Sequence, residues 1–139
     1  MNNAHESYRN AAIQTADRGK LVVMVYDHCI QWCDRALEAS SDLESRTKAL
    51  TKVQDGIAEL TCALDMEQGG DIAKQLWRLY DFMTWKLHEC LVKRLDDGIM
   101  AVRGMLAELR NAWQTAAENV RKTQPSAVAG QARSFALVG

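Results

Sequence analysis

Proline is nearly absent from this chain: Pro125 is the single one in 139 residues, and only eight glycines accompany it. So few breakers disfavour a strand-and-turn fold and favour long helices. Apolar runs are short as well. None approaches the roughly 20 residues that span a bilayer, and the opening Met1-Asn2-Asn3-Ala4-His5-Glu6 lacks the apolar stretch of a secretory leader. The expectation is a cytoplasmic protein with no membrane insertion. Charge of one sign is also missing, since 17 Lys and Arg against 18 Asp and Glu leave a net of −1. Phosphate backbones are held by clustered, uncompensated Lys and Arg, so nucleic acid is not an expected partner.

The constellations of chemistry are missing too. Cys29, Cys33, Cys62 and Cys90 all fall inside apolar-periodic segments and read as small core side chains in a reducing compartment. His28 adjoins the Cys29–Cys33 turn, but zinc wants four ligands and no second pair is present. No Glu-x-x-His pair exists for a di-metal carboxylate bundle, no Cys-x-x-Cys-His for haem, and no glycine-rich phosphate loop. His5, His28 and His88 have no nucleophile that the sequence singles out; His28 and His88 read as rim or half-buried structural residues. Neither enzymatic activity nor a cofactor nor a metal is expected.

What is present is helical periodicity in a chain of one domain's length. Helix one is expected from about Arg18–Lys20 to Ala39, with Val22, Val25, Tyr26, Cys29, Ile30, Cys33, Ala36 and Leu37 on one broad face and Leu21, His28 and Trp32 on its shoulder. Ser41-Asp42-Leu43-Glu44 reads as a capping box before a second helix with the heptad seam Leu43, Leu50, Ile57, Leu64 and Val53, Leu60. Gly69-Gly70 breaks the chain, Asp71 is the expected N-cap, and a third helix runs from Ile72 to Leu91 with the seam Ile72, Leu76, Leu79, Met83, Leu87, Cys90. Asp96-Asp97 opens a last helix reaching Lys122. The fold expected is all-α, an antiparallel up-down bundle of four helices. Residues 1–17 show no period and read as a mobile N-terminal segment, 18–122 as the bundle, and 123–139 as a disordered tail with an apolar end at Phe135-Ala136-Leu137-Val138.

Helices one and three carry more apolar surface than one core-facing stripe of roughly 100° needs, which is the mark of a helix that touches something besides its own bundle. Two phrases concentrate that surplus, Leu21-Val22-Val23-Met24-Val25-Tyr26-Asp27 and Leu76-Trp77-Arg78-Leu79-Tyr80-Asp81-Phe82-Met83. Leu21, Met24, Tyr26, Trp77, Tyr80 and Met83 are the candidate partner-binding residues. For Tyr26 and Tyr80 an ordinary core position with the hydroxyl near the surface is an equal alternative. Asp27 and Asp81 could either position a neighbouring helix or accept a hydrogen bond from the N-terminal segment. Met24, Met83, Met100 and Met105 offer the adaptability that a partner surface needs. A non-catalytic adaptor or a self-associating bundle would show the same pattern.

Read together, these segments resemble the flagellar secretion chaperone family, the flagellin-specific export chaperones. Tyr8, Thr15-Ala16 and Leu21…Met24-Val25-Tyr26-Asp27 resemble its start. Gly69-Gly70-Asp71-Ile72-Ala73 with Leu79-Tyr80-Asp81-Phe82-Met83 resembles its third helix, and Glu108-Leu109-Arg110-Asn111-Ala112-Trp113 its last. The likeness spans residues 5 to 120. It departs at Asp17-Arg18-Gly19, where the family usually has a proline, and at Thr84-Trp85-Lys86, where basic residues are common. The resemblance implies a cytosolic bundle that binds the disordered C-terminal segment of flagellin, prevents premature polymerisation and supports its secretion, with the export gate or other flagellar regulators as further partners. It also implies that Tyr8, Ile13 and their neighbours form a lid over the binding groove.

Overall fold

The computed structural model describes the backbone of residues 3–39 and 41–122, and the side chains of Glu6, 17–39 and 41–122. The tail 123–139 and the side chains of Tyr8 and Ile13 therefore lie outside the described residues. Four helices follow one another: α1 (Asn3–Glu38), α2 (Leu43–Cys62), α3 (Gly70–Lys93) and α4 (Asp97–Lys122). Each packs on the next and α4 returns to α1, closing a four-helix bundle.

The first correction to the sequence reading is the start of α1, which lies at Asn3 and not near Arg18. Residues 3–17 lack an apolar period, but they also lack any proline or glycine, and nothing stops the helix of 18–38 from propagating backwards. The cap of α2 also shifts by one residue. Asp42, in extended backbone, accepts from the Ser45 amide at 3.4 Å and from the Ser45 hydroxyl at 2.7 Å, so Ser41 stands one position outside. The Ser45 bonds hold the Asp42 carboxyl below its ordinary pKa. Asp71 is likewise not a cap: Gly69 precedes α3 without a side-chain bond, and Gly70 opens it at φ 55°. Glycine fits this left-handed entry because it has no Cβ to clash. The end of α3 is sealed by Arg94, also left-handed at φ 55°, whose amide donates to the Cys90 carbonyl.

The core is built from Val22, Val23, Tyr26, Cys29, Cys33 and Ala36 of α1; Ala49, Leu50, Val53, Ile57 and Leu60 of α2; Tyr80, Met83, Leu87 and Cys90 of α3; and Ile99, Val102, Leu106 and Trp113 of α4. The expected seam of α3 is therefore rotated. Ala73 and Tyr80 point inward, Leu76 and Leu79 are half-buried, and Ile72 is exposed. Tyr80 can take the central place because its hydroxyl finds a partner there, described below. The α2 seam holds through its middle, while Leu43 at its end is exposed. Three cysteines are core residues as expected, but Cys62, the last residue of α2, is exposed. A Cβ on Gly56 would lie 2.3 Å from the Cys29 sulfur, and one on Gly98 2.3 Å from the Cys90 sulfur. Glycine at both places lets the helices approach over a thiol.

Arg46 has no counterpart in the sequence reading. Its side chain is 2 % exposed. The guanidinium donates to the carbonyls of Cys90 at 3.0 Å and Leu95 at 2.7 Å, and pairs with Asp96 at 3.2 Å. The first turns of α2 are thereby tied to the connection between α3 and α4.

Burial of the core hydroxyls and thiols sets a stability limit at high pH. Desolvation lifts Cys29 and Cys33 from an ordinary 9.0 to about 12. It lifts Tyr80 from 10.0 to about 12 and pushes Tyr26 upward as well. The folded state thus holds protons that the unfolded chain would release. Stability from these groups is complete below pH 9 and falls as pH rises from 9 toward 12. Tyrosinate absorbance from at least two of the three tyrosines should appear together with loss of helical circular dichroism. Full ionisation near pH 10 with helicity intact would contradict this burial.

Candidate functional site

At the centre of the bundle Tyr26 of α1, Tyr80 of α3 and Trp113 of α4 meet. The two tyrosine hydroxyls are hydrogen-bonded to each other, and the Trp113 indole N–H donates to the Tyr26 oxygen at 3.2 Å. All three side chains are buried, as is Met83 beside them. Half of the expected binding set is thus buried. Tyr26, Tyr80 and Met83 offer no surface to a partner in this conformation, because a satisfied hydroxyl allows an aromatic ring to fill the core. The other half is on the surface: Leu21 is 58 %, Met24 63 % and Trp77 46 % exposed.

These exposed residues border apolar clefts between helices. Leu21 lines one of about 230 Å³ between α1 and α2, with Arg18, Val22, Val25, Glu59, Leu60 and Ala63. Trp77 lines a second of about 320 Å³ between α2 and α3, with Ala58, Thr61, Cys62, Asp81 and Thr84. A third of about 130 Å³ lies between α3 and α4 among Ile72, Leu76, Leu109, Ala112 and Trp113. The sequence reading did not foresee it, because Ile72 and Leu76 fit the apolar period and were assigned to the core seam of α3. Met24, three residues from Leu21, extends the first patch outward.

The clefts sit in three of the four grooves and toward one end. Their linings come from 18–25, 58–63, 72–84 and 109–113, the half of the bundle that carries the α2–α3 connection. Arg46 ties the opposite half. The fourth groove, between α1 and α4, is closed by the ion pairs Asp27–Arg110 at 2.8 Å and Asp34–Arg103 at 3.2 Å, and by Gly19, where a Cβ would come within 3.0 Å of Ala117. Asp27 thus positions a neighbouring helix. Asp81 lines the second cleft and makes no ion pair to another helix among the described residues.

The linings are mostly carbon, with Arg18, Glu59 and Asp81 the only ionised groups among the described lining residues. Such an arrangement suits apolar side chains presented one after another, and it offers no reacting pair. The three buried thiols are all pushed upward by desolvation, which disfavours the nucleophilic thiolate. His28 is exposed and accepts the Trp32 indole N–H at 2.9 Å, and the Arg35 guanidinium lies 4.4 Å from the Trp32 ring centre. His88 is exposed too, so neither histidine is half-buried. Among the described residues no group of three His, Cys, Asp or Glu side chains gathers in a metal-holding arrangement. No helix among them is long and apolar enough to cross a membrane.

Comparison with known proteins gives one result throughout. The family model described as flagellar protein FliS matches residues 1–120. The flagellar secretion chaperone FliS of Bacillus subtilis is 29 % identical over 125 residues, covering 88 % of this chain and 92 % of its own length. That of Salmonella typhimurium is 32 % identical over 108 residues, with 75 % and 79 % covered. That of Vibrio cholerae is 30 % identical over 123 residues, with 81 % and 88 % covered.

Proposed function

Because the chain belongs to the FliS family of flagellar secretion chaperones, we propose that it binds the disordered C-terminal segment of flagellin in the cytosol, keeps it from polymerising and hands it to the export apparatus without any catalytic step. The observation that carries this reading is the set of apolar clefts in three successive grooves with Leu21 and Trp77 exposed at two of them. A segment that is disordered when free can order as amphipathic helices across such grooves. The ordering entropy opposes binding by several kcal/mol, so affinity has to come from contact spread over many side chains. A role for residues 1–17, with Tyr8 and Ile13, as a lid over part of these clefts belongs to the same proposal.

The test is calorimetry and circular dichroism with a synthetic peptide of about the last 40 residues of the cognate flagellin, long enough to cross more than one groove. Binding should be one-to-one, with a gain in helicity and a negative heat-capacity change from apolar burial. Added salt should matter little. Leu21→Asp and Trp77→Asp should each weaken binding more than about tenfold, because a carboxylate in an apolar contact must be desolvated. Glu38→Ala on the exposed side should leave it unchanged. A chain lacking residues 1–17 should associate faster if the segment is a lid. No heat and no helicity gain at high micromolar peptide would remove the flagellin assignment.

A further inference from the structure

The cleft between α2 and α3 differs from the other two in the polar groups of its wall. Trp77, Asp81 and Thr84 stand at i, i+4 and i+7 on α3 and so share a face, and Ala58, Thr61 and Cys62 face them from α2. The Thr61 hydroxyl donates to the Ile57 carbonyl at 2.8 Å, and the Thr84 hydroxyl to the Tyr80 carbonyl at 3.0 Å. A hydroxyl has a single proton, so both threonines have only lone pairs left to offer. Asp81 is exposed and makes no hydrogen bond or ion pair among the described residues, although Arg78 stands three positions before it. Cys62 adds only a weak donor. The Trp77 indole N–H is thus the one strong side-chain donor among the described lining residues, and its half-exposed ring adds a π face. By contrast, the first cleft carries both Arg18 and Glu59, and the third has no ionised group among its described lining residues.

We propose that the α2–α3 cleft is a subsite for an arginine side chain of the bound segment. A guanidinium has N–H donors all round and no acceptor, the complement of a wall that accepts at Asp81, Thr61 and Thr84. Its flat face stacks on an indole, and it is more weakly hydrated than an ammonium, so less is lost when it leaves water. The aliphatic stem of the side chain packs on the carbon of the cleft while the charged head meets Asp81 at its rim. Lysine would bring a compact, strongly hydrated charge that does not stack in this way. An acidic side chain would be repelled by Asp81.

The consequence is register. An amphipathic helix in an apolar groove can slip by a turn and still bury apolar side chains. One polar group that has to meet its partner removes that freedom, as a single polar residue does in a coiled-coil seam. An arginine held at the α2–α3 cleft therefore fixes which side chains of the segment reach the first and third clefts. A single pair at an exposed carboxylate keeps the salt dependence of the whole contact small. The inference rests on the clefts being the groove of a helical client, and two experiments separate the two readings.

The first needs no client. Butylguanidinium added to the full chain should shift the NMR signal of the Trp77 indole N–H, identified by its loss in Trp77→Phe, and should saturate in the millimolar range that suits so small a ligand. Butylurea, of the same shape without the charge, should not shift it, and butylammonium should bind several-fold more weakly. Asp81→Asn changes one exposed group, should leave helicity as it is, and should weaken the guanidinium response about three- to tenfold. A response that does not saturate would overturn the subsite whatever the client is. So would one that Asp81→Asn leaves unaltered, or one that butylurea or butylammonium matches.

The second uses the flagellin peptide with each arginine in turn replaced by citrulline, which keeps the shape and removes the charge. At one position citrulline should lower affinity about three- to tenfold. That loss should vanish against Asp81→Asn, where the pair is already broken. Losses that stay additive with Asp81→Asn at every position would remove the subsite and leave flagellin binding standing. A peptide that does not bind at all would remove the flagellin reading, and the butylguanidinium titration then decides the subsite by itself.

Discussion

Arg46→Ala is expected to remove about 3–5 kcal/mol of stability, the range seen when one partner of a buried charged network is deleted. Two features of the site put it there. The guanidinium is 2 % exposed, so its removal leaves a void that water fills poorly. The Leu95 carbonyl, bonded at 2.7 Å, stands in the short connection between α3 and α4 and is left with no replacement donor from the helix ladder. The Cys90 carbonyl fares better, since the amides of Arg94 and Leu95 also reach it. Asp96→Asn should cost much less, because that carboxylate is 40 % exposed and stays solvated without its partner. Arg46→Met tests the mechanism. It restores most of the volume but no donor, so it should fall between the alanine variant and the natural chain. Domains of this size have only about 5–15 kcal/mol in total, and urea titration followed by helicity will resolve these differences. An Arg46→Ala variant within 1 kcal/mol of the natural chain would mean that the network contributes far less than a buried guanidinium should.

Arg46 also shows where sequence reading fails. Periodicity reports which face of a helix is apolar, and an arginine on that face looks like an error in the pattern. Only the α3–α4 connection, with its outward carbonyls, explains why a cation belongs there. The four helices themselves were legible, because one proline and eight glycines leave few places for them to end. Their ends were less so. The caps at Asp42 and Gly69 each differ by one or two residues from the expected positions, and the α1 start differs by a whole segment that carries no periodicity. The rotation of α3 was hidden for another reason. Tyr80 lay off the expected seam, with a core place and a partner contact equally open, while Ile72 and Leu76 were expected on it; Tyr80 is the one buried because Tyr26 lies opposite and hydrogen-bonds its hydroxyl. The family likeness over residues 5–120 was legible from short phrases, and it agrees with the match over 1–120. Of the residues expected to meet a partner, Leu21, Met24 and Trp77 have the exposure the role requires. The tyrosines in the same phrases have another task.

That task gives the second large effect. Tyr26→Ala should destabilise the protein by about 3–5 kcal/mol, as aromatic-to-alanine changes in a packed core do. The ring is fully buried where α1, α3 and α4 meet. Tyr26→Phe keeps the ring and isolates the hydroxyl. It removes the bonds that Tyr80 and the Trp113 N–H make to that oxygen, and the buried Tyr80 hydroxyl left unsatisfied costs about 1–3 kcal/mol. Tyr80→Phe removes only one of those bonds and should cost less. The double change Tyr26→Phe with Tyr80→Phe should cost less than the sum of the two, because no lone tyrosine hydroxyl then remains to be satisfied. The same variants separate a core role from a binding role. If the pair is a structural hub, Tyr26→Phe lowers the unfolding midpoint while flagellin-peptide affinity, measured where the chain is fully folded, stays within about twofold, well under the tenfold that 1.4 kcal/mol of lost contact would give. An unchanged midpoint with a large loss of affinity would reverse that assignment. Tyr26 and Tyr80 would then have to reach the partner through an opening of the bundle between α1 and α3.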